Sequence, residues 1–451
     1  MGNRREQTYI PIGLLALIQL LVLVPSYCLP AALPLVERQW GISHAEAGVM
    51  VAAFQAGYVA AALVALPLTD RIDARHVFVG GAVLSAVIHF LFPLLARDAL
   101  SGTLLRALTG AGLGGIYMPG VKIISQASAS RGRAVGFYVS SYLAGTSLSF
   151  ALTGAFTAFL PWQEAYLVLA GISFAAVFLS LWLWRQPAGA FLPCRRQNKT
   201  PEPGKAGPAR EVPQAGKTQR NLALALVILG YTGHMWEMYG LRSWLAPFLT
   251  AVLQEHYARA TSLAATLTAL SVMLGAPSTL LAGWLSDRLG RTRTALAIML
   301  TSAACSLTFG WLLAAPLWLL LLVGLVYSLT VTADSPIFSA GLAEIAPREK
   351  LGSIMAWQTL VGYLFATVSP AVFGLLLDLY PGPAGWVLAF SSLGAGVLVG
   401  AALMFYLSFL PASRAMGNGR RRGGSPADAA GTRMQHPSTI RELKNGRPPC
   451  P

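Results

Sequence analysis

The sequence predicts an all-α polytopic membrane protein, with twelve transmembrane helices arranged as two pseudo-symmetric six-helix bundles. The 451-residue chain is 55% hydrophobic and only 11% charged, whereas soluble proteins are about one quarter charged. Apolar stretches of about 20 residues, the length that crosses a bilayer as a helix, recur along the whole chain. A repeat within the sequence relates its two halves. These three observations define the fold class.

Twelve spans follow from the apolar stretches and the polar turns between them. The first begins after Arg4 and Arg5, as a signal peptide does. Its apolar run is too long and no small-residue cleavage site follows, so we expect a retained helix. The predicted bounds are 9–33, 45–68, 76–96, 99–125, 133–160, 163–184, 221–250, 261–285, 293–314, 316–344, 351–379 and 385–409.

Two hydrophilic segments interrupt this pattern. The first is rich in proline and basic residues, and the second contains an arginine triplet among Gly, Ser and Pro. Such compositions are typical of disordered chain. The predicted organisation is an N-terminal bundle (1–184), a disordered cytoplasmic linker (185–220), a C-terminal bundle (221–410) and a disordered basic tail (411–451).

A single offset of 217 residues superimposes the two halves without a gap. The matched residues lie at helix ends, turns and one helix kink, so they describe the scaffold. They are Pro30 with Pro247, Asp70 with Asp287, Arg71 with Arg288, Arg131 with Arg348 and Gly145 with Gly362. Parallel halves related about the membrane normal occur in secondary transporters.

The formal net charge is +15, but its distribution argues against a nucleic-acid-binding protein. With an even number of crossings both termini share one side, which carries 27 of the 33 Lys and Arg residues, against three on the other side. Because positive residues collect on the cytoplasmic side, we predict cytoplasmic termini and a location in a bacterial inner membrane. The four cysteines are scattered without a CxxC pair, so we expect no disulfide framework, no metal site and no cofactor.

The segment GWLSDRLGRTR, residues 283–293, resembles a signature turn of the major facilitator superfamily, GxxxDRxGRxR or similar, which joins the second and third helices of a half. The residues that fit are Gly283, Asp287, Arg288, Gly290 and Arg291. The resemblance extends over residues 9 to about 410. It implies the twelve-helix fold of that family and transport by alternating access.

The first half contains a weaker copy of this turn, LPLTDRIDAR at residues 66–75. It keeps Asp70 and Arg71 but has Asp73 and Ala74 where a glycine and the next arginine belong. An aspartate at the end of a helix opposes the dipole of that helix, so it is stabilised only by the positive N-terminus of a different helix. We therefore expect the two turns to form a conformational latch, each binding the opposite half in one conformation only.

Five charged residues stand out within the predicted helices, and none of them has a counterpart at the 217-residue offset: Arg106, Lys122, Glu237, Arg242 and Asp334. A charge at a helix centre costs about 2.5–3.5 kcal/mol on insertion scales, so it usually faces a cavity or a partner. Because the scaffold does not need these residues twice, they are better candidates for cargo or coupling. Lys122 is the exception, since it lies nearer the cytoplasmic end and we expect its side chain to snorkel. The candidate substrate and proton-coupling residues are His234, Glu237, Arg242, Arg106, Asp334 and Tyr231.

Each candidate has a structural alternative. Glu237, the candidate proton carrier, also fits a permanent pair with Arg242 or His234. The family resemblance associates Arg106 with proton transfer or substrate, and the alternative is an ion pair with a neighbouring helix. Asp334 either contributes to the site or caps a broken helix.

The embedded charges sum to +1, which favours a small, organic anionic cargo with protons compensating its charge. We expect a monomeric secondary transporter that takes up a small solute with protons. Proton-driven efflux is the alternative, although residues 145–154, GTSLSFALTG, lack the proline of the GxxxGPxxGG-like motif of many exporters in the family. A transporter-like sensor or membrane enzyme is a further alternative. The sequence has no GxxxxGK[ST], HExxH or GxSxG motif, so we do not expect an enzyme.

Overall fold

A computed structural model describes residues 12–127, 131–185 and 216–417, and every regular element in these ranges is a helix. Most of the predicted linker and tail, residues 186–215 and 418–451, lies outside the described residues. The helices of the first half are α1 (Ile12–Leu23), α2 (Cys28–Trp40), α3 (His44–Arg71), α4 (Ala74–Leu95), α5 (Ala99–Ala127), α6 (Arg131–Thr157) and α7 (Trp162–Arg185).

The second half repeats this order of helices. Its members are α8 (Lys217–Leu253), α9 (Ala260–Leu289), α10 (Arg291–Phe309), α11 (Leu317–Thr330), α12 (Ser335–Ile345), α13 (Leu351–Leu379) and α14 (Pro383–Phe409). Short 3₁₀ helices lie at Gly310–Ala314, Arg348–Lys350 and Pro411–Ala415.

Twelve helical crossings account for these elements, because α1 with α2 and α11 with α12 each form one broken span. Within the described ranges, ten segments are long and apolar enough to cross a membrane. The other two crossings are α5 and α8, which contain the embedded basic residues Arg106 and Lys122, and Arg242. The chain is therefore an all-helical, multi-pass membrane protein.

The first predicted span, 9–33, ends too early. The helical segment continues through Glu37 and Arg38 to Trp40, although an apolar pattern does not include these polar residues. It ends at Gly41, whose φ of 63° lies in the left-handed region that glycine adopts at low cost. The boundary is set by this glycine and not by the end of the apolar run.

The internal repeat has a structural counterpart at Gly145 and Gly362. A Cβ at Gly145 would lie 2.8 Å from the Cβ of Leu23 on α1, and one at Gly362 would lie 2.6 Å from the ring of Tyr231 on α8. In each half, the aligned glycine therefore lets the fifth crossing pack tightly against the first. The 217-residue offset predicted this equivalence.

The two halves meet mainly at one end of the bundle. α3 packs against α13 and α6 against α9. A Cβ at Gly48 would clash with the carbonyl of Pro370 across the first contact, and Ser262 donates a hydrogen bond to the carbonyl of Gly154 across the second. We call this the closed end, and the opposite end, which holds the two signature turns, the signature end.

Candidate transport site

A cavity of about 430 Å³ lies between the two halves. Its walls come from α5, α6, α8, α9, α13 and the region around the α11–α12 break, and they run from the middle of α8 toward the signature end. The contacts of the closed end separate the cavity from the other side. Its lining includes Tyr117, Tyr142, Tyr231, Met235, Met238, Tyr239, Arg242, Thr332, Ser335 and Tyr363.

Arg242 is the charged residue of this lining. Its guanidinium carbon lies 5.4 Å from the ring centroid of Tyr239, one helical turn earlier on α8, and only 7% of the residue is exposed. Among the described residues no carboxylate lies within ion-pair distance of Arg242. The alternative pair between Arg242 and Glu237 is therefore wrong for this conformation, and a cation without an acidic partner faces the cavity.

Five tyrosines share the lining with Arg242. The hydroxyl of Tyr142 lies 3.0 Å from that of Tyr27, and Tyr239 donates a hydrogen bond of 3.3 Å to Tyr363. The sequence prediction included only Tyr231 of these five. Tyrosine normally collects at membrane interfaces, so tyrosines near the middle of predicted spans were the signal that would have identified the others.

His234 and Asp334 form a buried pair beside the cavity. Their Nδ1 and Oδ1 atoms lie 2.7 Å apart, although the ring N–H is not aligned with the carboxylate as in a straight hydrogen bond. The ring of Tyr231, which lines the cavity, stacks on His234 at a centroid distance of 5.5 Å. The predicted break before α12 is confirmed, but the Asp334 side chain does not cap that helix. It lies against the His234 ring instead.

Glu237 lies deeper in the second half. It is 2% exposed, and its Oε2 accepts a hydrogen bond of 2.8 Å from Ser302 on α10. Its Oε1 has no hydrogen-bond partner. His234 lies three residues earlier on α8 but pairs with Asp334, so the alternative Glu237–His234 pair is also wrong here. A carboxyl with one free oxygen is thus buried behind the cavity wall.

Arg106 is separated from the other candidates. It is 1% exposed on α5, packs over Phe54 at 4.7 Å and donates a hydrogen bond of 2.9 Å to the carbonyl of Ser26. This carbonyl lacks its helical donor because the residue four positions later is Pro30, which has no N–H. Within the described part of the chain, no carboxylate pairs with Arg106, so the alternative ion pair is not seen.

The second-half signature turn is stabilised within its own half. Arg291 contacts Asp287 at 2.6 Å and Glu344 on α12 at 3.1 Å. Gly290 has a φ of 100°, a backbone conformation that residues with a Cβ rarely adopt. A Cβ at Gly283, in contrast, would meet nothing within 4 Å. Arg288 stacks on Trp284 at 3.8 Å. Gly283 therefore has no packing requirement in this conformation.

The first-half turn uses different partners. Asp70 pairs with Lys122 of α5 at 2.5 Å, since Ala74 stands at the position of Arg291. Asp73, at the position of Gly290, caps α4 by accepting the N–H of Arg75. The Arg75 guanidinium also holds the pKa of the Asp73 carboxyl below its usual range. Asp70 and Arg71 are both exposed.

The closed end contains a charged contact between the halves that the sequence analysis did not find. Asp378, in the last turn of α13, accepts hydrogen bonds from the backbone N–H groups of His44 and Ala45, at 3.0 and 2.7 Å. These are the first N–H groups of α3, which lack partners within the helix. The carboxylate of one half thus caps a helix of the other.

Two related six-helix halves that enclose a cavity are the architecture of a membrane transporter. The sequence profile of the Major Facilitator Superfamily matches residues 15–236 and 222–447, and the chain belongs to this family. It is a transporter of small solutes and not an enzyme.

Named relatives agree with this class. The probable sulfoacetate transporter SauU of Cupriavidus necator is 23% identical over 318 residues, which cover 68% of this chain and 73% of the relative. The probable 4-methylmuconolactone transporter of Cupriavidus pinatubonensis is 27% identical over 295 residues, which cover 62% of this chain and 63% of the relative.

A solved structure shows the same fold. The inward-open xylose transporter XylE from E. coli superimposes with a TM-score of 0.65 at 15% identity, covering 88% of this chain and 95% of that one.

Proposed function

We propose that this transporter takes up a small organic anion together with protons, by alternating access between its two halves. The observation that carries the proposal is Arg242, a guanidinium in the central cavity without a carboxylate partner among the described residues. A buried charge is costly unless a partner of opposite charge or hydrogen bonds compensate it. A bound carboxylate or sulfonate supplies that pair, and a guanidinium can hold it by two parallel hydrogen bonds.

The relatives support an anionic cargo. Of the solutes in their names, 4-methylmuconolactone is a ring with a single carboxylate, whereas sulfoacetate is a dianion without a ring. These solutes belong to the relatives, and they enter here as the first compounds to test.

Uptake into vesicles that contain the purified full-length protein tests the role of Arg242. We expect Arg242→Gln to abolish uptake of the transported anion, and Arg242→Lys to retain a small part of it, because lysine keeps the charge but not the bidentate geometry. Arg414→Gln is the matched control, since Arg414 is an exposed arginine at the signature end. Uptake by Arg242→Gln equal to that of the wild type would refute the proposal.

For proton coupling we propose Glu237, with the His234–Asp334 pair as the second candidate. Glu237 is buried with one oxygen free, so its charge depends on whether water reaches it from one side or the other. Tyr231 connects the His234–Asp334 pair to the cavity wall, so occupancy of the cavity can affect that pair.

Two transport modes separate coupling from binding. Glu237→Gln is expected to keep exchange of labelled for unlabelled solute, which needs no net proton movement, and to lose accumulation driven by a pH gradient. If Glu237→Gln still accumulates solute under a pH gradient, Glu237 is not the proton carrier. The same vesicles test direction, because an antiporter would use the gradient to expel the solute.

We propose that the signature turns act as a latch when the signature end closes. The side chains of Asp70 and Asp287 are 76% and 50% exposed, and the space beside Gly283 is empty. These features leave room for the opposite half to dock. We also propose that this end is cytoplasmic, because 27 of the 33 Lys and Arg residues fall on its side, and that the protein is a monomer in a bacterial inner membrane. Reporter fusions at the C-terminus test the orientation.

A further inference from the structure

We propose that the cavity selects ring-bearing organic monoanions, such as aromatic carboxylates, over dianions and over polyhydroxylated solutes. This inference rests on the proposed anion transport through Arg242 and names the class of anion. It is carried by the number of cations at the cavity, by the partners of the tyrosine hydroxyls and by one hydroxyl without a partner.

The charge of the lining matches one negative charge. Among the described residues, Arg242 is the one Lys or Arg of the lining, and the lining contains no Asp or Glu. The other embedded basic residues are already engaged elsewhere: Lys122 binds Asp70 and Thr69, and Arg106 binds the carbonyl of Ser26. A second negative charge on the solute would therefore enter a site of low dielectric constant without a partner, which is costly.

The tyrosines supply aromatic surface to the cavity, and the hydroxyls of three of them bond to other tyrosines. Tyr142 shares a hydrogen bond with Tyr27, and Tyr239 with Tyr363. The rings of Tyr239 and Tyr363 lie 5.7 Å apart, within the usual range of aromatic contacts. The same lining gains apolar surface from Met235, Met238 and Leu280. A flat ring would pack against this surface, whereas a solute with many hydroxyl groups would lose hydration there.

Thr332 completes a carboxylate site next to Arg242. Its hydroxyl is buried and has no hydrogen-bond partner, and the residue is 7% exposed. Thr332 and Arg242 both line the main cavity and an adjoining void of about 20 Å³. A carboxylate can therefore be held by the Arg242 guanidinium and the Thr332 hydroxyl while its ring contacts Tyr239 and Tyr363.

Equilibrium binding of radiolabelled benzoate to the full-length protein in detergent tests this selectivity by competition. Four competitors differ from benzoate in known ways: benzamide removes the charge, phthalate adds a second charge, acetate removes the ring, and glucose is uncharged and polyhydroxylated. We expect all four to compete at least about tenfold more weakly than unlabelled benzoate. Acetate, glucose or phthalate competing as well as benzoate would overturn the inference.

Variants separate the ring contact from folding. Tyr363→Leu is expected to weaken benzoate binding about tenfold and to leave acetate binding unchanged, whereas Tyr363→Phe keeps the preference for benzoate. Thr332→Val is expected to weaken benzoate and acetate alike. Tyr406→Leu is the control, because Tyr406 is exposed on α14. An unchanged ratio of benzoate to acetate affinity in Tyr363→Leu contradicts the role of the ring.

The outcome also distinguishes the inference from the proposed function. If sulfoacetate binds in a manner that depends on Arg242 and benzoate does not bind, anion transport stands and the selectivity is wrong. If no anion tested depends on Arg242, the proposed function itself fails.

Discussion

Replacing Asp378 with alanine is expected to loosen the closed end, because this carboxylate joins the two halves. Its oxygens accept hydrogen bonds of 3.0 and 2.7 Å from the first two N–H groups of α3. Loss of an acidic helix cap costs about 0.5–2 kcal/mol, and hydrogen bonds to charged groups contribute about 1.5–3 kcal/mol. Water replaces both bonds when the end opens. We therefore use about 2 kcal/mol for the free energy by which Asp378 favours the closed state over the open state. That is about 30-fold in the ratio of closed to open molecules.

Spin labels at Leu100 and Tyr380 measure this ratio, since both residues are exposed at the closed end and lie in different halves. Asp378→Ala is expected to increase the population of long distances, and Asp378→Asn to have a smaller effect because the amide keeps one acceptor. Asp98→Ala is the matched control. Asp98 caps α5 within one half, and its hydrogen bonds from Ser101 lower the pKa of its carboxyl. Identical distance distributions in Asp378→Ala and the wild type would refute the role of Asp378 in holding the closed end together.

Three further predictions concern the latch, the packing and the buried pair. Asp287→Asn should shift the balance between outward-facing and inward-facing states, as measured by cysteine accessibility. An unchanged balance would contradict the latch role of Asp287. Gly57→Ala places a Cβ against the carbonyl of Ala107 and should cost about 1–3 kcal/mol in thermal unfolding, while Gly80→Ala, which meets nothing within 4 Å, should not destabilise. A double-mutant cycle of His234→Asn and Asp334→Asn should give a coupling energy of about 1–3 kcal/mol. A value near zero contradicts the pair.

The scaffold was predictable because it depends on patterns that a sequence displays. Apolar length gave the crossings, and the 217-residue offset gave the equivalence of Gly145 and Gly362. Helix ends were less predictable, since Gly41 ends the first span well after its apolar run. Ends depend on backbone conformation at single residues, which composition does not report.

The sequence identified residues of the candidate site but not the partners that their side chains contact. The sequence identified His234, Glu237, Arg242 and Asp334 as unusual, but it did not indicate that His234 binds Asp334 while Glu237 binds Ser302. These partners lie on helices far apart in the chain, and only their packing decides which side chains meet. Four of the five cavity tyrosines were missed because the prediction relied on charged side chains, although their position near the middle of predicted spans was a usable signal.

The central claim is that Arg242 binds an organic anion in the cavity. Thermal unfolding of the purified protein, followed across a panel of carboxylates, sulfonates, neutral amides and sugars at constant ionic strength, tests it most directly. Binding to the folded state raises the unfolding temperature in proportion to the logarithm of ligand concentration over Kd. We predict stabilisation by at least one organic anion that is lost in Arg242→Gln and kept in Arg414→Gln. Equal stabilisation of wild type and Arg242→Gln by every anion would contradict the account.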